Sequence, residues 1–288
     1  MPQGGSCCTT AWSPDGRRLL IGTDSSVVLI GADRSSRRDL ISGERVDGAP
    51  SWSPTGKAIA VSLAVGATTQ IVVIDIDTGR RSQVSHASQY ARWPSYAPDG
   101  SRIAFVAHRP EAGSGEALYV VAPDGSGERL VYDLGLLIGS LVADRAWSPD
   151  GIRVAITQQL KQFRPQPLAS VVVVRPETST QKSLEAVPRD GFDAAWSPDG
   201  FHVAFFSRSA DGSQDLWIVN GDGTAARKLA EGVDEFNWSP DGQRLVIAGE
   251  RVGDALNRVS TMGTDGNDPH DLSITGVVGH LAWGPATP

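Results

Sequence analysis

One short motif recurs along the whole chain and constrains its fold more than any other feature. Trp-Ser-Pro-Asp-Gly, or a close variant, occurs six times, with its aromatic residue at Trp12, Trp52, Tyr96, Trp147, Trp196 and Trp238. A shorter echo, Trp-Gly-Pro, begins at Trp283. Consecutive copies are separated by as little as 40 residues (Trp12 to Trp52) and as much as 51 (Tyr96 to Trp147). A repeat of this period indicates a solenoid or a propeller.

Each copy of the motif predicts a hairpin turn. Proline fixes φ at the second turn position, aspartate bonds nearby backbone amides, and glycine supplies a positive φ. An apolar run follows each turn, as at 103–106, and a second run follows that one, as at 118–121. A second turn and a short strand complete the unit, and no segment has a convincing helical period. Each repeat therefore predicts four antiparallel strands.

Four strands per repeat predict an all-β fold, a six-bladed β-propeller of four-stranded antiparallel blades that forms a single domain over residues 1–288. Seven Trp-bearing or Tyr-bearing strands are available for six blades. In the simplest closure, the C-terminal strand Gly279 to Pro285 supplies the innermost strand of the first blade and closes the ring. Trp12 then belongs to an arm that pairs elsewhere or competes for that place. A seven-bladed ring with one incomplete blade is the less favoured alternative.

The motif and the Ile-Ala-Phe-like strand after it resemble the repeat of the TolB-type β-propeller family. The terminal Leu281-Ala282-Trp283-Gly284-Pro285 is similar to the closing strand of these propellers, so the resemblance covers residues 11–285. The N-terminal α/β domain of TolB has no counterpart in this sequence. The resemblance implies a periplasmic or extracellular setting and a protein partner at the propeller mouth. Since lyases and oligopeptidases carry the same repeat, the fold alone assigns no function.

Charge and hydropathy exclude several classes of function. The formal charge of −7 and the pI near 5.2 argue against a nucleic-acid partner, which requires concentrated Lys and Arg. No apolar stretch approaches the roughly 20 residues of a membrane span, so no membrane insertion is expected. No signal peptide is visible in this sequence, since residues 1–11 lack a basic start and an apolar run. We expect a monomer, either complete or cut from a larger exported protein.

No catalytic or cofactor motif is recognisable. Gly-x-Ser-x-Gly, the P-loop and Gly-x-Gly-x-x-Gly do not occur. The only cysteines, Cys7 and Cys8, are adjacent, a spacing at which a disulfide is strained. They are expected to be incidental thiols and leave the redox compartment open. The lack of these motifs favours a binding module over an enzyme, and an enzyme stays the alternative.

The loops that enter the innermost strands line the mouth of a propeller channel, so the residues just before each aromatic are the candidate site. Three residues before it the repeats carry Thr9, Ala49, Trp93, Asp144, Asp193, Glu235 and His280. Further charged residues nearby are Asp47, Arg92, Arg145 and Asp234. If the ring has six blades, these side chains converge on one mouth.

Three interpretations of the candidate site remain open. Carboxylates at a mouth suit a basic peptide segment, which gives the leading hypothesis: a non-catalytic propeller that binds a protein or peptide. They also suit a divalent cation, for which Asp144, Asp193, Glu235 and His280 are weak candidates. That cation is the only cofactor considered, and the alternative function is a metal-assisted lyase or hydrolase acting on a polar substrate. In the third interpretation the acidic residues only hold backbone amides.

Overall fold

The computed structural model describes residues 9–86, 89–108, 115–135, 137–141, 145–160, 169–183, 191–209, 212–249, 258–275 and 281. These residues form 24 β-strands and no helix, arranged as six four-stranded antiparallel sheets. The six sheets are the blades of a ring, which confirms the six-bladed β-propeller. In the described part of the chain, no helix is long and apolar enough to cross a membrane.

Each blade consists of four consecutive strands, with the innermost strand first. The first three blades comprise β1 (Thr9–Trp12), β2 (Arg18–Thr23), β3 (Ser26–Gly31), β4 (Arg37–Ser42); β5 (Ser51–Trp52), β6 (Ala58–Val65), β7 (Thr68–Asp75), β8 (Arg81–Gln83); and β9 (Gln89–Tyr96), β10 (Ile103–His108), β11 (Glu116–Val121), β12 (Arg129–Gly135). The last three comprise β13 (Leu137–Ser140), β14 (Val154–Leu160), β15 (Ala169–Arg175), β16 (Thr180–Ser183); β17 (Phe192–Trp196), β18 (His202–Arg208), β19 (Gln214–Asn220), β20 (Arg227–Glu231); and β21 (Glu235–Trp238), β22 (Arg244–Gly249), β23 (Arg258–Gly263), β24 (His270–Thr275).

The recurring motif forms the turn between the first two strands of a blade. In the fifth blade, the Ser197 hydroxyl donates to Asp199 Oδ1 at 2.5 Å, and the amide of Phe201 donates to the same oxygen at 3.0 Å. Gly200 has a φ of 75°, as the turn requires. A Cβ at Gly200 would lie 3.4 Å from Pro149 Cδ of the preceding turn. The turns therefore pack against one another at one end of the ring.

In three blades, the motif tryptophan links the blade to the one before it. Its indole N–H donates to the carbonyl of the small residue that precedes the aromatic in the previous blade. The three bonds of this kind run from Trp52 to Ala11 at 3.1 Å, from Trp147 to Ser95 at 3.0 Å and from Trp238 to Ala195 at 3.3 Å. In these three blades tryptophan satisfies a buried carbonyl while it fills the space between blades. In the fifth blade the ring of Trp196 is buried in the same way, but its indole N–H has no hydrogen-bond partner among the described residues.

Hydrophobic clusters lie between neighbouring blades. In β6, Ile59 and Val61 pack towards the first blade, whereas Ala60 between them packs towards the third. This alternation is the strand period of two, with both faces of the sheet buried. Because each blade buries one face against each neighbour, a single blade would leave apolar surface exposed, and the ring is the unit of stability.

The closure of the ring differs in one respect from the simplest closure predicted. The innermost strand of the first blade is β1, in which Thr10 pairs with Ile21 and Trp12 with Leu19. Trp12 therefore lies in the ring rather than in an arm. Pairing of β1 with the adjacent β2 closes only a short loop, whereas pairing of a C-terminal strand with β2 would close a very long one. Of Gly279 to Pro285, only Leu281 is described, and it packs on the sixth blade.

Candidate functional site

Two innermost strands carry a β-bulge at the end where they enter the ring. In β9, Ser95 pairs with Ala104 and Arg92 with Val106, which leaves one extra residue in β9. In β17, an equivalent shift falls between Phe192 and Ala195. The bulged residues Trp93 and Asp193 occupy the same repeat position, and both have a φ of 53°.

A positive φ is uncommon for residues other than glycine, and such strain persists only where the surroundings impose it. A bulge also changes the direction in which a side chain points. The equivalent residue of the sixth blade, Glu235, lies in a regular pairing with Ala248. Among the described residues at this repeat position, the left-handed bulge therefore occurs in the third and fifth blades and not in the sixth.

Trp93 packs against the loop that leads into the second blade. A Cβ at Gly48 would lie 2.5 Å from Trp93 Cδ1, and Gly48 has a φ of 88°, so only glycine fits there. The Arg92 guanidinium lies over the Trp93 ring, with 4.3 Å between Cζ and the ring centroid. Asp47 precedes Gly48 and is half-buried. The structure thus brings together three predicted site residues, Asp47, Arg92 and Trp93.

A buried carboxylate holds Arg92 in place. Glu116, the first residue of β11, is 1% exposed, and its Oε1 accepts a hydrogen bond from Arg92 Nη2. Glu116 Oε2 accepts from the amide of Gly139 in the fourth blade at 2.9 Å. His108 Nε2 lies 3.5 Å from Glu116 Oε1. The ring of the exposed Tyr90 packs edge-on against His108, with 5.4 Å between the ring centroids. Glu116 therefore fixes Arg92 and joins two blades.

The sequence analysis did not identify Glu116. It lies in an otherwise apolar strand, and its partner Arg92 is 24 residues away. The one signal was a charged residue at the start of the apolar run 117–121, since a charge in such a strand needs a partner.

The Asp193 carboxyl combines exposure to solvent with desolvation by nearby protein atoms. Its side chain is accessible to solvent, yet protein atoms surround it closely, and this partial desolvation raises the pKa of its carboxyl above the ordinary value of 3.8. The positive charge of Arg145 partly offsets that increase in the pKa.

Arg145 extends from the fourth blade to the sixth. Its Nη1 donates to Asn237 Oδ1 at 3.1 Å, and its Cζ lies 5.6 Å from the centroid of the Phe236 ring. The backbone carbonyl of Arg145 accepts from the amide of Trp196 in the fifth blade at 2.9 Å. Since this residue of the fourth blade contacts both the fifth and the sixth, the inner strands of three blades converge here, as the propeller prediction requires.

The predicted residues of the sixth blade hold the C-terminal segment. Glu235 Oε1 accepts from the amide of Leu281 at 2.6 Å, and Asn237 Nδ2 donates to the Leu281 carbonyl at 3.0 Å. The amide of the exposed Asp234 donates to Ala248 O at 2.8 Å. The contact of Glu235 is the one expected if the acidic residues only hold backbone amides. Asn237 was not among the predicted site residues.

Two predicted site residues, Asp144 and His280, lie outside the described residues. Within the ranges that the structure describes, no group of three or more His, Cys, Asp and Glu side chains could hold a metal ion. The described residues do not by themselves form the predicted cation site, which stays a prediction.

Comparison with known proteins agrees with this architecture. A family model described as the TolB beta propeller domain matches residues 3–165, which is more than half of the 288 residues. The chain belongs to the TolB β-propeller domain family. A search of curated protein sequences found no match.

Three solved structures illustrate the range of similar folds. TolB from Acinetobacter baumannii has a TM-score of 0.61 at 18% identity, with 92% of this chain and 62% of that one covered. A putative TolB from Agrobacterium tumefaciens has a TM-score of 0.62 at 21% identity, with 91% and 94% covered. An oligogalacturonate lyase in complex with manganese has a TM-score of 0.66 at 14% identity, with 92% and 72% covered. This chain spans less than two thirds of the Acinetobacter TolB, and these identities support the fold alone.

Proposed function

We propose that this chain is a non-catalytic propeller that binds a protein or peptide segment at the channel mouth. The observation that carries the proposal is the pair of left-handed bulges at Trp93 and Asp193. Each bulge is strained, each breaks the regular pairing of an inner strand, and each presents a side chain suited to recognition. Bulges and strained residues concentrate at functional sites.

The charges of the mouth favour a basic partner. Glu116 balances the charge of Arg92, and the charge of Arg145 acts on Asp193. The carboxylates of Asp47, Asp193 and Asp234 outnumber Arg145, so the net charge of these residues is negative. A lysine or arginine of the partner near Asp193 would gain from this field.

The aromatic side of the mouth favours an apolar contact. Trp93 is half-buried, and its ring is held between Gly48 and the Arg92 guanidinium. A rigid, partly desolvated tryptophan is the residue type that most often dominates a binding interface. We therefore expect the ligand to place one apolar side chain at Trp93 and one cationic side chain at Asp193. We further propose a periplasmic or extracellular location, which the resemblance to the family supports.

Selection from a library of random dodecapeptides displayed on phage tests the proposal, with the full chain as the bait. We expect the selected peptides to combine an apolar residue with Lys or Arg. Two variants remove the side chains of interest, Trp93→Asn and Asp193→Asn, since asparagine tolerates a left-handed backbone better than other residues. Each variant should bind the selected peptides at least about tenfold more weakly than the parent protein.

The matched control for these variants is Lys57→Gln, an exposed residue at the opposite end of the ring. It should leave peptide binding unchanged. Peptides that bind both asparagine variants as tightly as the parent protein would overturn the proposal, as would a selection that enriches no sequence.

The alternative of a metal-assisted lyase or hydrolase rests on Asp144, Asp193, Glu235 and His280. Similarity of fold to a manganese-bound lyase keeps this alternative open. Elemental analysis of protein dialysed against manganese decides it, because stoichiometric metal would support the alternative and its absence would remove it. In the described structure, Glu235 is already occupied by the Leu281 amide.

A further inference from the structure

Two adjacent turns at the end of the ring opposite the mouth expose large apolar side chains. The residue after each motif glycine is polar in four blades: Arg17, Lys57, Ser101 and Gln243. In the fourth and fifth blades it is Ile152 and Phe201, which are 49% and 70% exposed. Single exposed apolar residues are ordinary, but two at one repeat position in neighbouring blades form a patch.

Hydrogen bonds and a close packing contact connect these two turns. Gly200, which precedes Phe201, packs on Pro149 of the fourth blade. The amide of Gly221 donates to Phe201 O at 2.7 Å, and Arg153, which follows Ile152, donates from Nη1 to Gly221 O at 3.0 Å. Ile152 and Phe201 therefore flank one structural unit, which we call the basal patch.

A groove of about 260 Å³ adjoins the basal patch through Arg153 and Gly221, and Arg175, Gln181 and Asp222 also line it. Its charges are divided between the blades. Arg175 is exposed on the fourth blade, and Asp222 is exposed on the fifth, where its Oδ1 also accepts from the amide of Thr224 at 2.9 Å. Arg153 lies 3.4 Å from Asp150 of its own turn, so that pair is internally balanced.

We infer that the basal patch binds a second copy of this chain around a twofold axis. A twofold contact uses the same surface on both copies, so the surface must complement itself. A twofold axis through the groove places Arg175 of each copy opposite Asp222 of the other and buries Ile152 and Phe201 between them. A uniformly acidic partner would meet Asp222 and a uniformly basic one would meet Arg175. A partner must carry a negative charge opposite Arg175 and a positive charge opposite Asp222, and a second copy of this chain does so.

This inference differs from the monomer expected from the sequence, and sedimentation equilibrium between about 1 and 300 µM decides between them. We expect a monomer–dimer equilibrium. Phe201→Gln and Ile152→Ser give these turns the residues that Gln243 and Ser101 already supply in other blades, so the variants should fold. Each should weaken dimerisation at least about tenfold, because each change removes two buried apolar side chains per dimer. Lys57→Gln is the matched control and should leave the equilibrium unchanged.

Charge exchange separates a twofold contact from unspecific apolar association. Arg175→Glu and Asp222→Arg should each weaken dimerisation when studied alone, since like charges then face each other. An equimolar mixture of the two variants should recover it, because each copy then meets an opposite charge at both contacts. A chain that stays monomeric throughout this concentration range overturns the inference. So does a mixture that associates no better than its components.

Discussion

Replacement of Glu116 tests how the channel mouth is held in place. Glu116 is 1% exposed, accepts from Arg92 with Oε1 and accepts from the Gly139 amide with Oε2 at 2.9 Å. In Glu116→Gln the amide offers one acceptor oxygen for these two donors, so one of them loses its partner. Loss of a hydrogen bond to a charged group lowers stability by about 1.5–3 kcal/mol.

Glu116→Ala removes both acceptors. The Arg92 side chain is 22% exposed and recovers only part of its hydration, and the Gly139 amide is left buried without a partner. Removal of one member of a buried ion pair lowers the free energy of unfolding by about 3–5 kcal/mol. A folded domain has in total about 5–15 kcal/mol. The alanine variant should therefore fold with a clearly lower urea midpoint.

Urea unfolding followed by tryptophan fluorescence and by circular dichroism gives these free energies, provided that the two transitions coincide. The matched control is Asp39→Asn, which breaks the Arg37–Asp39 pair, whose side chains are 70% and 54% exposed. An exposed pair contributes at most about 1 kcal/mol. If Glu116→Gln and Asp39→Asn lower stability equally, then Glu116 does not organise the mouth and the reasoning is refuted.

Three further predictions concern single residues. Because the pKa of Asp193 is raised in the folded protein, Asp193→Asn should stabilise the protein at pH 7. This gain in stability should shrink as the pH falls through the folded pKa and vanish below the ordinary value of 3.8. Thermal melts across pH measure it, and a gain that does not change with pH would contradict the prediction. Gly48→Ala would put a Cβ 2.5 Å from Trp93 Cδ1 at a residue with a φ of 88°. This change should lower stability by about 1–3 kcal/mol and alter the near-ultraviolet circular dichroism of Trp93. An unchanged spectrum would contradict the contact. Trp147→Phe should lower stability by about 1–3 kcal/mol in urea unfolding, because the buried Ser95 carbonyl loses its donor; no loss would mean that the bond between blades is unimportant.

The blade count could be predicted from the sequence because it depends on local chemistry. Each Pro-Asp-Gly turn determines its own hairpin, and the strands on either side are adjacent in the chain. Contacts between blades could not be predicted in the same way. The position of Trp147 in the repeat was evident, but its hydrogen bond to Ser95, 52 residues earlier, forms only in the packed ring. The closure was ambiguous because Trp12 and Trp283 carry similar motifs, and the structure places Trp12 in the ring.

The candidate site could be located from the sequence but not described. Position in the repeat indicated Trp93 and Asp193, and both share a left-handed backbone in the structure. Nothing in the residue types predicted the bulges, since Glu235 at the same position pairs regularly. Glu116 was missed because a buried ion pair depends on tertiary distance, which a single sequence does not contain.

The central claim is that the ligand binds at the mouth between Trp93 and Asp193. Amide hydrogen exchange of the full chain, with and without a saturating selected peptide, measures this most directly. We predict slower exchange at 44–48, 89–93, 191–193 and 232–235, and no change in the motif turns at the opposite end. Protection of the motif turns or of the outer strands, with the mouth unchanged, would contradict the claim.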